Sequence, residues 1–118
     1  MLTIVVYPKC STCRNAVKWL EENGLPFKQR HIVDERLSAE EIKDIHQNSG
    51  LPIKKFFNTS GTRYRELGLK DNIDGLSDEA CYTTLASDGM LVKRPLAYDT
   101  VGGVTVGFKV VEYEKTWK

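Results

Sequence analysis

Cysteine is scarce in this chain and odd in number, with Cys10, Cys13 and Cys81 the only three among 118 residues. So few thiols exclude the disulfide framework of a small secreted domain. Histidine is scarcer still, with two residues, His31 and His46. A structural zinc site would have to complete its ligand set from these and Cys81, which are scattered and form no second close pair. A surplus of one charge is also lacking: 17 basic and 16 acidic side chains leave a net charge of +1. No whole-protein field gathers nucleic acid or an anionic membrane, so an anionic partner must be held by a local site. No apolar run approaches the ~20 residues that span a bilayer, and Met1 to Tyr7 carries neither a basic leader nor a small-residue cleavage site. The expectation is a cytoplasmic protein whose close cysteine pair serves redox or metal chemistry, without direct contact to nucleic acid or membrane.

The chain length and a hydrophobic content of 41% suit one globular domain over residues 1–118, with core enough to need no covalent staple. Leu2 to Tyr7, rich in strand formers and ended by Pro8, predicts a buried strand. Cys13, Ala16, Val17 and Leu20 then follow the spacing of a helix face, with Gly24 and Pro26 as the stop. Phe27 to Val33 predicts a second strand, and the connecting helix makes the pair a right-handed parallel βαβ unit. Ser38 and Glu41 have capping-box spacing, with Leu37 and Ile42 placed as a hydrophobic staple, so a helix runs from about Ser38 to Asn48.

From Leu51 to Leu69, Pro52 and the run Asn58-Thr59-Ser60-Gly61 predict short helices broken by a loop. Ser77 caps a further helix that ends near Asp88 and Gly89, with Asp78 and Glu79 in its positive first turn and Leu76 stapled to Cys81. Met90 to Val92, Ala97 to Asp99 and Val104 to Val106 read as extended segments, Gly102 and Gly103 as a turn, and Phe108 to Trp117 as a last helix. The expected fold is α/β: a thioredoxin-like core of βαβ and ββα halves with a helical insertion at about residues 37–89.

Cys10-Ser11-Thr12-Cys13 falls between the first strand and its helix. Cys10 is therefore expected beside unpaired backbone N–H groups and the positive end of the helix dipole, both of which favour thiolate over thiol. Cys13, one turn inward, is placed to attack a mixed disulfide on Cys10, expel the bound thiol and close an intramolecular disulfide. Zinc binding and an inert pair are the alternatives; the missing ligands and the preceding strand favour the redox reading. Cys81 reads as a core residue. Arg14, in the first helical turn, is a candidate for holding an oxyanion near Cys10.

The ordered set Cys10-Ser11-Thr12-Cys13-Arg14-Asn15, Tyr64-Arg65-Glu66-Leu67-Gly68-Leu69 and Arg94-Pro95 resembles the family of glutaredoxin-coupled arsenate reductases and Spx-type regulators. It is most similar to the family's short arsenate-reductase-like members, particularly over Phe56 to Leu69 and Ser87 to Leu96. The resemblance implies that Cys10 attacks arsenate or another oxidised substrate, that Arg94 stabilises the oxyanion beside it, and that Pro95 is cis and close to the cysteines. Arginine suits this role because its planar guanidinium offers paired donors and stays charged.

Asn58 and the Val106 to Phe108 segment stand where two further family arginines are expected. No bound cofactor is implied; the reductant is an external thiol system, glutathione with glutaredoxin or thioredoxin. Spx-type members bind the RNA polymerase alpha subunit, and this chain departs from them between Gly50 and Lys55. The leading expectation is a thiol-disulfide oxidoreductase with a small oxyanion or disulfide substrate. The alternative is a redox-sensing regulator.

Overall fold

A computed structural model describes residues 1–118. Its sheet is built from β1 (Leu2–Val6), β2 (Phe27–His31), β3 (Leu96–Tyr98) and β4 (Val104–Val106), ordered β2-β1-β3-β4. β1 and β2 run parallel, Leu2 opposite Phe27 and Val6 opposite His31, joined by α1 (Ser11–Glu22). β3 lies antiparallel to β1 with Ala97 opposite Ile4, and β4 antiparallel to β3, followed by α6 (Val110–Trp117). Between the halves come α2 (Ala39–Ser49), α3 (Thr62–Glu66), α4 (Leu69–Asn72) and α5 (Asp78–Ser87). This is the α/β arrangement of βαβ and ββα halves with a helical insertion that the sequence predicts. No helix is long and apolar enough to cross a membrane.

The strand period of two divides the core between the sheet's faces. Leu2, Ile4 and Ala97 pack with Ala16 and Leu20 of α1 and Tyr113 of α6. Val5 and Leu96 face the other way, into a larger cluster containing Ile42 and Ile45 of α2, Cys81, Tyr82 and Leu85 of α5, and Phe56, Phe57 and Tyr64. Cys81 is thus a core residue of the insertion, buried and away from the cysteine pair. His31 ends β2 and His46 lies on α2, hydrogen-bonded to the Tyr82 hydroxyl at 2.5 Å.

Helix starts follow the capping chemistry. Ser38 caps α2, its Oγ accepting from the Glu41 N–H at 3.1 Å while Glu41 Oε1 accepts from the Ser38 N–H at 3.0 Å. Ser77 Oγ accepts from the Ala80 N–H to cap α5. Glu41 also meets Arg30 of β2 in a two-pronged pair, Nη1 to Oε2 at 2.6 Å and Nη2 to Oε1 at 3.0 Å. Arg30 further donates to the Tyr98 hydroxyl and to the Glu35 and Arg36 carbonyls, so one side chain ties the insertion to two strands. That guanidinium holds the Glu41 carboxyl well below its usual range, at about 2.

Several segments differ from the sequence expectation. Met90 to Val92 is not an extended segment: Gly89–Leu91 forms a 3-10 turn, held by Asp88 Oδ1 accepting from the Met90 N–H at 2.9 Å. Only Val92 pairs, in an isolated bridge to Phe57. Gly89 is required there, because a Cβ would stand 2.1 Å from the Ile32 carbonyl oxygen. β2 stops at His31 rather than Val33, since His31 Nδ1 accepts from the N–H groups of Val33 and Asp34 and closes a turn. α6 starts at Val110 rather than Phe108, because Gly107 takes φ +79° and Lys109 is extended.

Candidate active site

The apolar β1 delivers the chain to Pro8 and Lys9 at the sheet end, where Cys10 becomes the N-cap of α1. The Cys10 N–H bonds the Tyr7 carbonyl at 3.0 Å, closing the turn, and the Cys13 N–H donates to Cys10 Sγ at 3.2 Å. The sulfur therefore takes the place that an N-cap oxygen usually holds. The first turn of α1 contains no acidic residue, so nothing offsets the positive helix end facing it.

Cys10 is half-buried and Cys13 is buried at 1% exposure. Burial, the Cys10 side chain and its charge push the Cys13 thiol up to about 12, opposed by a backbone hydrogen bond at Tyr7 and by Arg94. The two thiols are thus made unlike: one at a helix N-terminus on a pocket wall, the other a protonated residue behind it.

Arg94 precedes Pro95 across a cis bond, as the resemblance implies. Its guanidinium stacks 5.2 Å from the Tyr7 ring centroid, and Nη1 donates to the Val92 carbonyl at 3.3 Å. Cys10 and Arg94 line one open pocket of about 340 Å³ together with Tyr7, Thr12, Lys9, Lys93 and Asn58. Arg14 is placed otherwise: it is exposed, its Nη1 donates to the Pro8 carbonyl at 3.0 Å, and it does not line this pocket. It braces the loop before Cys10.

The insertion contributes to the same pocket through the bridge at Phe57 and Val92. The Asn58 N–H bonds the Leu91 carbonyl at 2.7 Å and the Lys93 N–H bonds the Phe56 carbonyl at 2.8 Å, which brings Asn58 and Lys93 beside the cysteine loop. Asn58, where a family arginine is expected, does reach the pocket and offers a neutral amide. Val106, Gly107 and Phe108 line a neighbouring cleft. Arg63 and Arg65 are exposed, and Arg63 is engaged by Asp88 at 3.1 Å and by Glu66. Sequence reasoning missed Lys9 and Lys93; the only signal was that each immediately precedes a motif residue.

The arrangement can hold an anion between Arg94, two lysines and helix N–H groups, within reach of a sulfur that a second thiol backs. The ArsC family matches residues 6–116. YusI of Bacillus subtilis is 52% identical over 116 residues, covering 98% of each chain. The global transcriptional regulator Spx of Listeria innocua is 30% identical over 99 residues, 84% of this chain and 74% of that one. The crystal structure of an ArsC family related protein from Bacteroides fragilis superposes with a TM-score of 0.93 at 46% identity, covering 98% of this chain and 96% of the other. With a match from β1 to the last helix and the CxxC and Arg94-Pro95 elements meeting at one pocket, this chain belongs to the ArsC family.

Proposed function

We propose that this protein is a thiol-disulfide oxidoreductase in which Cys10 attacks and Cys13 resolves. The observation that carries the reading is the asymmetry of the pair: Cys10 Sγ accepts a helix N–H in the pocket beside Arg94, while Cys13 is buried behind it with its proton held. In the first step the Cys10 thiolate attacks one sulfur of a disulfide, forming a mixed disulfide and releasing the other sulfur as a thiolate that takes a proton. Burial continues to raise the Cys13 pKa, but once Cys10 is bonded its hydrogen bond and charge no longer add to it, and the backbone bond at Tyr7 and Arg94 still lower it, so the Cys13 thiolate is easier to form than in the dithiol. Cys13 then attacks Cys10 Sγ, the second substrate thiol leaves, and the Cys10–Cys13 disulfide holds the two electrons' worth of oxidation. An external thiol, glutathione with glutaredoxin or thioredoxin, restores the dithiol.

With arsenate, the Cys10 sulfur displaces an arsenic-bound oxygen as water, giving a thiol-arsenate adduct. A second thiolate attacks Cys10 Sγ, the electron pair of the S–As bond passes to arsenic, and arsenite leaves. Arg94, Lys93 and Lys9 supply the positive charge for this anion in a pocket where Asn58 is neutral.

NADPH-coupled turnover of arsenate and of hydroxyethyl disulfide, with separate glutaredoxin/glutathione and thioredoxin recycling and Cys10→Ser as control, tests the reading. Cys10-dependent turnover is expected, with Cys13→Ser accumulating a mixed disulfide. Equal rates in wild type and Cys10→Ser reject it. The likeness to Spx favours a second reading, a redox switch that binds the RNA polymerase alpha subunit. Its signature is oxidation-dependent capture of that subunit without turnover.

A further inference from the structure

Beside the Cys10 pocket, and sharing Thr12, Lys93 and Arg94 with it, runs a second cleft of about 900 Å³. That volume lies at the upper end of the roughly 300–1,000 Å³ of drug-sized ligand sites and far exceeds what a tetrahedral oxyanion fills. Its walls are α6 on one side and the segment from Ser49 to Thr59 on the other. In a chain of 17 basic and 16 acidic residues, this cleft gathers Lys54, Lys55, Lys93, Arg94, Lys109 and Lys115 against Glu112 alone. Lys54 pairs with Asp74 at 3.8 Å, while the other five have no carboxylate within 4.0 Å. The excess positive charge is local and unneutralised.

The cleft also exposes a sheet edge. β4 is the last strand of the sheet, and Val104, Val106 and Gly107 line the cleft. Antiparallel residues alternate between exchanging both backbone bonds with the partner and exchanging neither. The Asp99 N–H bonds the Gly103 carbonyl at 3.1 Å and the Gly107 N–H bonds the Pro95 carbonyl at 2.9 Å. In the register that sets Ala97 opposite Thr105, Thr105 is therefore a bonded residue, and Val104 and Val106 turn their N–H and C=O groups outward. No backbone bond from another element reaches them. Three strand residues whose two outer members offer free donors and acceptors form a template for an added strand.

We propose that this cleft docks an extended acidic segment of a partner protein, which adds to the β4 edge and presents a cysteine sulfur to Cys10. The inference rests on the thiol-disulfide reading and names its substrate class: a protein disulfide flanked by Asp and Glu. Main-chain bonds to Val104 and Val106 supply sequence-tolerant affinity, and the lysines select acidic flanks. In the reaction the Cys10 thiolate forms a bond to the partner's cysteine sulfur, and the sulfur previously joined to it departs with the electron pair. Cys13 then releases the partner thiol, and glutathione or a dithiol protein reduces the resulting Cys10–Cys13 disulfide.

The test uses the full chain and a cysteine-free peptide alternating Glu with Val and Thr, a copy with Lys for Glu, and a copy N-methylated at alternate residues. Peptide binding is followed by titration and by amide shifts at Val104 and Val106. The acidic peptide is expected to bind about tenfold tighter than its lysine copy, with the difference lost in Lys109→Glu/Lys115→Glu. It is also lost at about 1 M salt, where charges are screened within ~3 Å. N-methylation, and Val104→Pro on the protein, should each weaken binding. Equal binding of acidic and basic peptides, or indifference to N-methylation, overturns the proposal.

A second arm carries a cysteine on each peptide as a mixed disulfide with thionitrobenzoate and reads release of the chromophore. Acid-selective binding without Cys10-dependent release keeps the docking edge and removes the redox reading. Cys10-dependent release at equal rates from acidic and basic peptides keeps the redox reading and removes the docking edge.

Discussion

Replacing Glu41 by Gln tests how the insertion is fastened to the sheet. The change keeps the shape of the side chain and a carbonyl oxygen for the cap, but removes the charge that Arg30 meets at 2.6 and 3.0 Å. The Glu41 carboxyl lies at about 2 against an ordinary 4.5. At ~1.36 kcal/mol per pH unit that sets a ceiling of ~3.4 kcal/mol. The Glu41 side chain is 42% exposed and the Arg30 side chain 19%, so solvent screening lowers the expected loss to about 1–1.5 kcal/mol.

The sign follows from linkage. A carboxyl whose folded pKa is depressed adds stability that is complete above the unfolded value of 4.5 and lost as pH falls through the folded value of about 2. The gap between wild type and Glu41→Gln should therefore be full at pH 7. It should fall to roughly two-fifths or less at pH 3 and to about a tenth or less at pH 2. Urea titrations at pH 7, 5 and 3 read this gap from the midpoints at constant slope. A variant as stable as wild type at pH 7, or a gap unchanged at pH 3, refutes the role assigned to the pair.

Gly89→Ala should destabilise by about 1–3 kcal/mol in the same urea assay, because its Cβ would press on the Ile32 carbonyl, a backbone atom that cannot swing aside. Tyr113→Phe should leave stability within about 1 kcal/mol of wild type, since the buried Tyr113 hydroxyl makes no hydrogen bond of good geometry and only approaches the Thr105 hydroxyl, which accepts from Trp117 Nε1 at 3.0 Å. A thermal melt distinguishes this from a larger loss. Arg94→Lys should reduce Cys10-dependent turnover about tenfold or more, because an ammonium cannot both stack on Tyr7 and present paired donors to an anion. Steady-state kinetics against hydroxyethyl disulfide and arsenate check it. Iodoacetamide at pH 7.5 should label Cys10 and spare Cys13 and Cys81, whose thiols are buried and raised, as read by peptide mass spectrometry.

The sequence by itself determined the order of most elements, because several of their boundaries are announced locally. Ser38 with Glu41 and Ser77 with Ala80 start helices through bonds spanning three residues, and apolar spacing marks which face of α1 and α2 is buried. It also determined where the candidate site lies, since a cysteine capping a helix after a strand needs only adjacent residues to meet the helix N–H groups. The 3-10 turn at Gly89–Leu91 is held locally by Asp88, but the demand for glycine at its start was illegible because the Ile32 carbonyl that sets it comes from a distant strand end.

Only the tertiary structure decided the site's composition and its electrostatics. Lys93 and Asn58 reach the pocket through a bridge between segments 35 residues apart, Phe57 to Val92, while Arg14, four residues after Cys10, turns to the Pro8 carbonyl instead. The raised pKa of Cys13 arises from burial and from the Cys10 side chain beside it, and the lysine-lined edge of β4 exists only once α6 and the insertion close around it. Desolvation and Coulomb interactions depend on distances through space, and those are set by packing rather than by position along the chain.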